Sequence, residues 1–393
     1  MKRVMRIWLV LLILLIHTGC WDRKEINDIG LVMATAIDLA EDGQLQATLQ
    51  VAVPSPSSQT TGASKETERF FLISDVGKNG IEIDQKLQQK MSRTLFFSHR
   101  SVILVGEDLA IKGLNDILDT FTRNPRNRLK AYILVVKGKK AGDLLQVEYP
   151  YELAPSEALK EMELLQGKGT VATLRDYMIA SASEGTSPTT GVLEPTVYRS
   201  SGKKGEKPLF RITGTAIFKS SKLVGFLNNT ETHEFLWFKG NKKGDGIAAG
   251  LPKGIGNVAF TITSSKTKIK TDWQSNPLKF HIDLAAKGDL VENDSPLDVT
   301  DSKNLSMVKK ALEKQVIQNM EAFLRKIQTE YHADIVGFSQ QLQRNNPKKW
   351  RAVEKEWDRY FAEADISVTV NLAINNTGEI GPALQFKDKE ILN

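Results

Sequence analysis

Apolar residues recur along this chain in three spacings, and each predicts a different element. Behind a short basic head of Lys2, Arg3 and Arg6, positions Trp8 to Ile16 form an unbroken apolar run. It is too short to span a bilayer as a stable helix and has the length of an export signal. Two-residue alternation and β-branched residues then take over. Ile29 to Asp38 and Gln44 to Val53 flank the turn signal Glu41-Asp42-Gly43 and predict a hairpin. Glu68 to Val76 predicts a third strand. Ile81, Ile83, Leu87 and Met91 stand at near-helical steps and predict a helix over Gly80 to Ser92.

The alternation continues with a strand over Phe96 to Val105, a helix over Asp108 to Thr122 broken near Gly113, and a strand over Ala131 to Val136. Strand and helix taking turns in this way predict a mixed α/β first domain. Pro155 to Gly167 reads as a helix with Ser156 as its N-cap, and Thr170 to Ser183 as another, in which Thr173 and Asp176 approximate a capping box. Glu184 to Pro195 reads as a connector. Phe210 to Lys219 and Leu223 to Leu227 predict paired strands, Glu231 to Phe238 a short helix that buries Trp237 and Phe238, and Gly240 to Gly256 a glycine-rich loop.

Val258 to Lys270 and Pro277 to Leu290 alternate strongly enough to predict antiparallel strands. The third spacing is the clearest. Leu305, Val308, Leu312, Val316, Met320, Phe323, Ile327 and Tyr331 lie three or four residues apart, one apolar stripe along about seven helical turns. Ile366, Val368, Val370, Leu372 and Ile374 supply a strand with one apolar face for that stripe to cover. The expected fold class is therefore α+β and multi-domain, with mixed and antiparallel sheets packed by helices and a long amphipathic helix in the C-terminal domain. Turn- and lysine-rich stretches set the expected boundaries: a signal peptide at 1–19, an N-terminal α/β domain at 20–200, a small β-rich middle domain at 201–265 and a C-terminal α+β domain at 266–393. Pro54 to Lys65, rich in Ser, Thr and Pro, is expected to be a surface excursion.

Cys20 is the single cysteine of the chain and stands directly after the apolar run and the small pair Thr18-Gly19. A signal peptidase needs small side chains beside its cut, and a thiol at the new N-terminus is an acceptor for diacylglycerol. Several acyl chains anchor a protein far better than one. Cys20 is thus the expected lipidation site, carrying S-diacylglycerol and N-acyl groups, although His17 stands where such signals usually carry Leu. A lone cysteine excludes a disulfide within the exported chain.

The formal charge is +6. Without the three basic residues of the leader it falls to about +3, 50 basic against 47 acidic side chains, too mild to argue for nucleic acid. Neither catalysis nor a metal or cofactor is expected. The histidines at positions 17, 99, 233, 281 and 332 are scattered, and Gly337-Phe338-Ser339-Gln340-Gln341 fails the last position of a nucleophile elbow. The glycines at 240–256 lack the Lys-Ser/Thr ending of a phosphate loop. His99 with Arg93 and Arg100 has the composition of an anion-binding or catalytic cluster. A histidine entering a strand beside aromatic residues reads instead as a hydrogen-bonded packing residue, and the functional reading left for that region is a contact surface.

Several motifs together resemble one family. Gly19, Cys20, Trp21, Asp22, Glu25, Ile26, Asn27 and Asp28 resemble the opening of the mature Ger(x)C proteins, the C-type lipoprotein subunits of spore nutrient germinant receptors. Ser92, Arg93, Leu95, Phe96, Phe97 and His99, followed by Gly106, Glu107, Leu109 and Ala110, resemble a second motif. Gly214, Ala216, Ile217, Phe218 and Lys219 with Lys222, Leu223, Val224, Gly225 and Leu227 resemble a third. The densest match is Asp334, Ile335, Gly337, Phe338, Leu342, Arg344, Pro347, Trp350, Trp357, Asp358, Phe361, Val368, Val370 and Gly378. The resemblance implies a non-enzymatic lipoprotein on the outer face of the spore inner membrane, held there by lipid on Cys20. It also implies a complex with two membrane-embedded subunits, called A and B in that family, and a role in nutrient-triggered germination. The alternative is a surface-anchored solute-binding lipoprotein that grips a small nutrient itself.

Overall fold

The computed structural model describes residues 25–53, 69–124, 126–166, 170–199, 205–240 and 242–378, with isolated positions 3, 385, 391 and 392. The apolar leader except position 3, Cys20, and the stretch 54–65 lie outside the described residues. The fold is a mixed α+β architecture built on two sheets.

The first sheet contains β1 (Ile29–Leu39), β2 (Leu45–Ala52), β3 (Phe70–Gly77), β4 (Thr94–Phe96), β5 (Val102–Gly106), β6 (Tyr132–Val136), β7 (Thr189–Arg199), β8 (Glu206–Lys219) and β9 (Lys222–Leu227). Their order is β3-β2-β1-β5-β6-β7-β8-β9, with β4 beside the start of β1. The expected hairpin is present, β1 and β2 pairing antiparallel from Val32↔Val51 to Leu39↔Leu45. β1, β5, β6 and β7 are parallel neighbours at the centre. Helices α1 (Gly80–Gln89), α2 (Glu107–Lys112), α3 (Asn115–Arg123), α4 (Ala141–Leu144), α5 (Pro155–Gln166) and α6 (Leu174–Ala182) lie between the strands in the chain. Both faces of the central strands are covered. Ile103 and Val105 join one apolar cluster with Leu109, Phe121 and Tyr177, while Val102 and Leu104 join another with Leu144, Leu159 and Phe210. This is why the strand sequences there are continuous apolar runs.

The second sheet contains β10 (Gly246–Gly250), β11 (Asn257–Asp272), β12 (Lys279–Asn293) and β13 (Asp365–Asn376), in that order. β11 and β12 are antiparallel, as expected, and β12 and β13 are parallel. Before β10 comes α7 (Asn229–Lys239); between β12 and β13 come α8 (Ser302–Thr329), α9 (Phe338–Asn345), α10 (Pro347–Val353) and α11 (Trp357–Glu363). α8 starts at Ser302 because the Asp301 carboxylate accepts the backbone N–H groups of Lys303 at 2.8 Å and Asn304 at 3.2 Å. Its predicted stripe, Val308, Leu312, Val316, Met320, Phe323 and Ile327, is buried against this sheet, where Leu372 of β13 is also buried.

Four local expectations are corrected. The connector at 184–195 gives way at Thr189 to a strand, because β7 pairs with β8 from Thr189 to Arg199; its pairing with β6 spans only Gly191–Leu193, which leaves Pro195 without a neighbour on that side among the described residues. The strand over 96–105 is broken by a 3-10 turn at Phe97–His99. β4 pairs with Ile29–Leu31 and β5 with Ala34–Ile37, and the turn bridges these two stretches of β1. Ser156 is no N-cap: α5 begins at Pro155, whose fixed φ suits a first turn, and Ser156 lies wholly buried behind it. The loop at 240–256 contains β10. Residues 201–265, expected as a middle unit, are divided between the sheets, with β8 and β9 in the first and β10 and the start of β11 in the second.

Candidate functional site

The polar and aromatic residues singled out in the C-terminal part meet where the two sheets pack. The centre is Asp334, 1% exposed. Its Oδ1 accepts the N–H groups of Gly337 at 2.8 Å and Phe338 at 3.1 Å, and its Oδ2 accepts that of Ser339 at 2.7 Å. One carboxylate thereby satisfies the donors at the start of α9, which are otherwise orphaned at a helix N-terminus. Gly337 has φ +89°, a left-handed conformation open to glycine at little cost. Burial pushes the Asp334 carboxyl above its ordinary value, and the three N–H donors pull the other way.

From this cap, contacts reach the first sheet. The Asp334 carbonyl accepts the N–H of Ser187 at 2.9 Å, and the Thr186 and Ser339 hydroxyls are 3.0 Å apart. Gly185, φ +76°, lies so close to the tryptophans that a Cβ would meet Trp350 Cη2 and Trp357 Cδ1 at 2.7 Å. Those two rings pack edge to face at 5.3 Å, and Phe280, Phe338 and Phe361 complete the aromatic layer. A second seam forms at Gly225. Tyr331, just beyond α8, lays its ring in the space a side chain at Gly225 would take and donates its hydroxyl to the Phe226 carbonyl at 3.0 Å. Lys219 donates to the His332 carbonyl at 2.9 Å and pairs with Asp358 at 2.7 Å.

The second motif also builds interior. Leu95, Phe97, Leu109 and Ala110 are buried, and Glu107 accepts the Gly138 N–H at 3.0 Å. Gly106 leaves room for the buried Asp38 carboxylate, which receives the N–H groups of Ala141 at 2.7 Å and Gly142 at 2.9 Å. The expectation for His99 is corrected: it is exposed, because the 3-10 turn rotates the chain so that Phe97 and Arg100 turn inward in its place. Arg100 is buried, and desolvation lowers its pKa to about 10 although Asp84 favours its charged form.

One polar group went unnoticed in the sequence. On α7 and the turn after it, His233 Nδ1 lies 2.7 Å from Asp245 Oδ1 and the buried Lys242 pairs with the same carboxylate. Burial pushes Asp245 up, yet His233 and Lys242 outweigh it and hold this carboxyl at about 2. Glu234, alongside, is pushed up to about 7 by burial, with Lys242 opposing. Nothing in the spacing of these residues marks them; they meet because the chain reverses between α7 and β10. Among the described residues no three His, Cys, Asp or Glu side chains group as metal ligands, and no helix is long and apolar enough to cross a membrane. Cys20 lies outside the described residues.

Two family models match the chain in tandem. "Spore germination protein N-terminal domain" covers residues 22–195, and "Spore germination B3/GerAC like, C-terminal" covers residues 213–378. Similar proteins of Bacillus subtilis (strain 168) include the putative spore germination protein YfkR, 28% identical over 96% of this chain and 97% of that protein. Spore germination protein B3 is 29% identical over 97% of this chain and the whole of that protein, and spore germination protein KC is 25% identical over 97% and 98%. In fold, the chain resembles the crystal structure of the GerBC protein, with a TM-score of 0.58, 24% identity, and coverage of 87% of this chain and 97% of that one.

Proposed function

Because this chain belongs to the Ger(x)C family of spore germination proteins, we propose that it serves nutrient-triggered germination as a lipid-anchored subunit of a spore germinant receptor. It acts by protein–protein contact, without catalysis. Acyl groups on Cys20 hold it on the outer face of the spore inner membrane, and its partners there are the membrane-embedded A and B subunits. The two family models do not divide along the sheets, since the C-terminal one, from residue 213, takes in the end of β8 and all of β9 of the first sheet.

One observation carries the contact reading. The motif residues are spent on holding the two sheets together: Asp334 on a helix start, Trp350 and Trp357 on Gly185, Tyr331 on Gly225. A body assembled this way offers its outer surface to neighbours, and its motifs keep that surface in shape. The lipid arm rests on the apolar leader ending at Gly19-Cys20.

The test is Cys20→Ala in the full-length protein, followed in spores. The expected result is loss of the protein from the membrane fraction and a weakened nutrient response. Unchanged membrane retention together with an unchanged response would refute the proposal, and mass spectrometry of the native N-terminus reads the acyl groups directly.

A further inference from the structure

Beside the first sheet, just before β5, lies a buried cation that no carboxylate among the described residues reaches at ion-pair distance. Arg100 is 6% exposed, and no carboxylate forms an ion pair with it among the described residues. Its Nη1 donates to Thr35 Oγ1 at 3.0 Å and its Nη2 to Asn127 Oδ1 at 2.6 Å, both neutral acceptors. Its Nε–H has no partner among the described residues. The guanidinium centre lies 4.5 Å from the Phe121 ring and 5.6 Å from the Phe97 ring. Aromatic faces and Asp84, which favours the charged form from beyond ion-pair distance, offset part of the cost of burying this cation, but the Nε–H is left without an acceptor among the described residues.

The surroundings are those of a ligand cavity. Arg100 lines a space of about 60 Å³ between β1, β2, α1 and α3, with walls from Ile37, Leu49, Ile83, Ile117 and Phe121. Apolar walls with few polar groups are how proteins hold small molecules, the polar groups fixing orientation. A guanidinium with a free Nε–H presents one side of its planar fork, which matches the two oxygens of a carboxylate. The volume limits the rest of the ligand to a few heavy atoms, and the walls require that tail to be apolar.

From this geometry we infer that the cavity binds a small organic carboxylate with a short apolar tail, its oxygens on Arg100 and its tail against Ile83, Ile117 and Phe121. Asp84 lines the same cavity half-buried, and its negative charge counts against any anion placed there, so the ligand's carboxylate must sit on the Arg100 side. This site is separate from the seam between the sheets. It goes beyond the contact role proposed above and does not depend on it, so a failure to bind leaves that role untouched.

The experiment is equilibrium dialysis of the full-length protein in detergent against radiolabelled isobutyrate, with isobutyramide as the uncharged isostere. Expected are saturable binding of about one ligand per chain in the millimolar range, set by the few atoms available, and no competition from isobutyramide. Arg100→Lys keeps the charge but removes the fork and is expected to weaken binding at least tenfold; Arg100→Met is expected to abolish it. The wild-type arm decides the matter if these variants fold poorly. No saturable uptake by the wild-type protein, or equal competition by isobutyramide, would overturn the inference, as would undiminished binding in a folded Arg100→Met protein.

Discussion

Removing the Asp334 carboxylate should loosen the seam between the sheets by an amount that can be worked out beforehand. Asp334→Ala strands the N–H groups of Gly337, Phe338 and Ser339, the last two belonging to wholly buried residues. An unsatisfied buried donor costs about 1–3 kcal/mol, so three together cost about 5 kcal/mol. Against this, the variant no longer desolvates a carboxylate, the effect that raises the folded pKa of Asp334. Allowing about 2 kcal/mol for that relief leaves a net loss of about 3 kcal/mol. Asp334→Asn keeps one oxygen for Gly337 and Phe338 but faces Ser339 N–H with a second donor, and should cost about 2 kcal/mol. Urea unfolding followed by tryptophan fluorescence is the assay, since Trp350 and Trp357 belong to the aromatic layer that contains Phe338. At a slope of about 3 kcal/mol per M, the alanine variant should unfold about 1 M earlier. An alanine midpoint indistinguishable from wild type, or an asparagine variant weaker than alanine, would refute the reasoning. The pH dependence has a definite sign as well. The folded protein holds the Asp334 proton more tightly than the unfolded chain does, so this group's contribution to stability falls as pH rises above 3.8, and mild acid should not selectively open the seam.

Three further outcomes are expected. Gly185→Ala meets a left-handed backbone (φ +76°) and two indole rings at 2.7 Å, and should cost about 3 kcal/mol; a urea midpoint equal to wild type would contradict the docking described for that turn. Gly225→Ala should displace the Tyr331 ring and remove more stability than Tyr331→Phe, which deletes one half-buried hydrogen bond worth about 1 kcal/mol; the reverse order in thermal melts would be inconsistent with the packing. Glu234, with a folded pKa of about 7 against an ordinary 4.5, should withdraw stability as pH rises from about 4.5 through 7, up to about 3 kcal/mol. Glu234→Gln should therefore gain stability over wild type at pH 8 and not at pH 4, and a gain equal at both would show that this carboxyl does not titrate as described.

Much of the fold could be read from spacing alone, because local periodicity decides which face of an element is apolar. The β1–β2 hairpin, the Thr173–Asp176 capping box and the stripe on α8 are all set by residues within a few positions of one another. The break near Gly113 between α2 and α3 is equally local. What spacing left open is partner choice. β7 contains Gly191 and Pro195 and lacks the look of a strand, and only the neighbours β6 and β8 make it one. Of the pair His99 and Arg100, the inward residue is chosen by a 3-10 turn that two separate pairings with β1 impose.

The sequence by itself determined the α+β class and the long helix that covers a sheet. Each depends on chemistry within one short stretch of chain. Only the tertiary structure decided that residues 201–265 divide between two sheets, that Asp334 both caps α9 and takes the N–H of Ser187, and that Glu234, His233, Lys242 and Asp245 share one buried corner. Those outcomes depend on contacts between residues far apart in the chain. Burial and the choice of hydrogen-bond partner are fixed by the packed whole, where an unpaired polar group is costly and the chain arranges itself to avoid it.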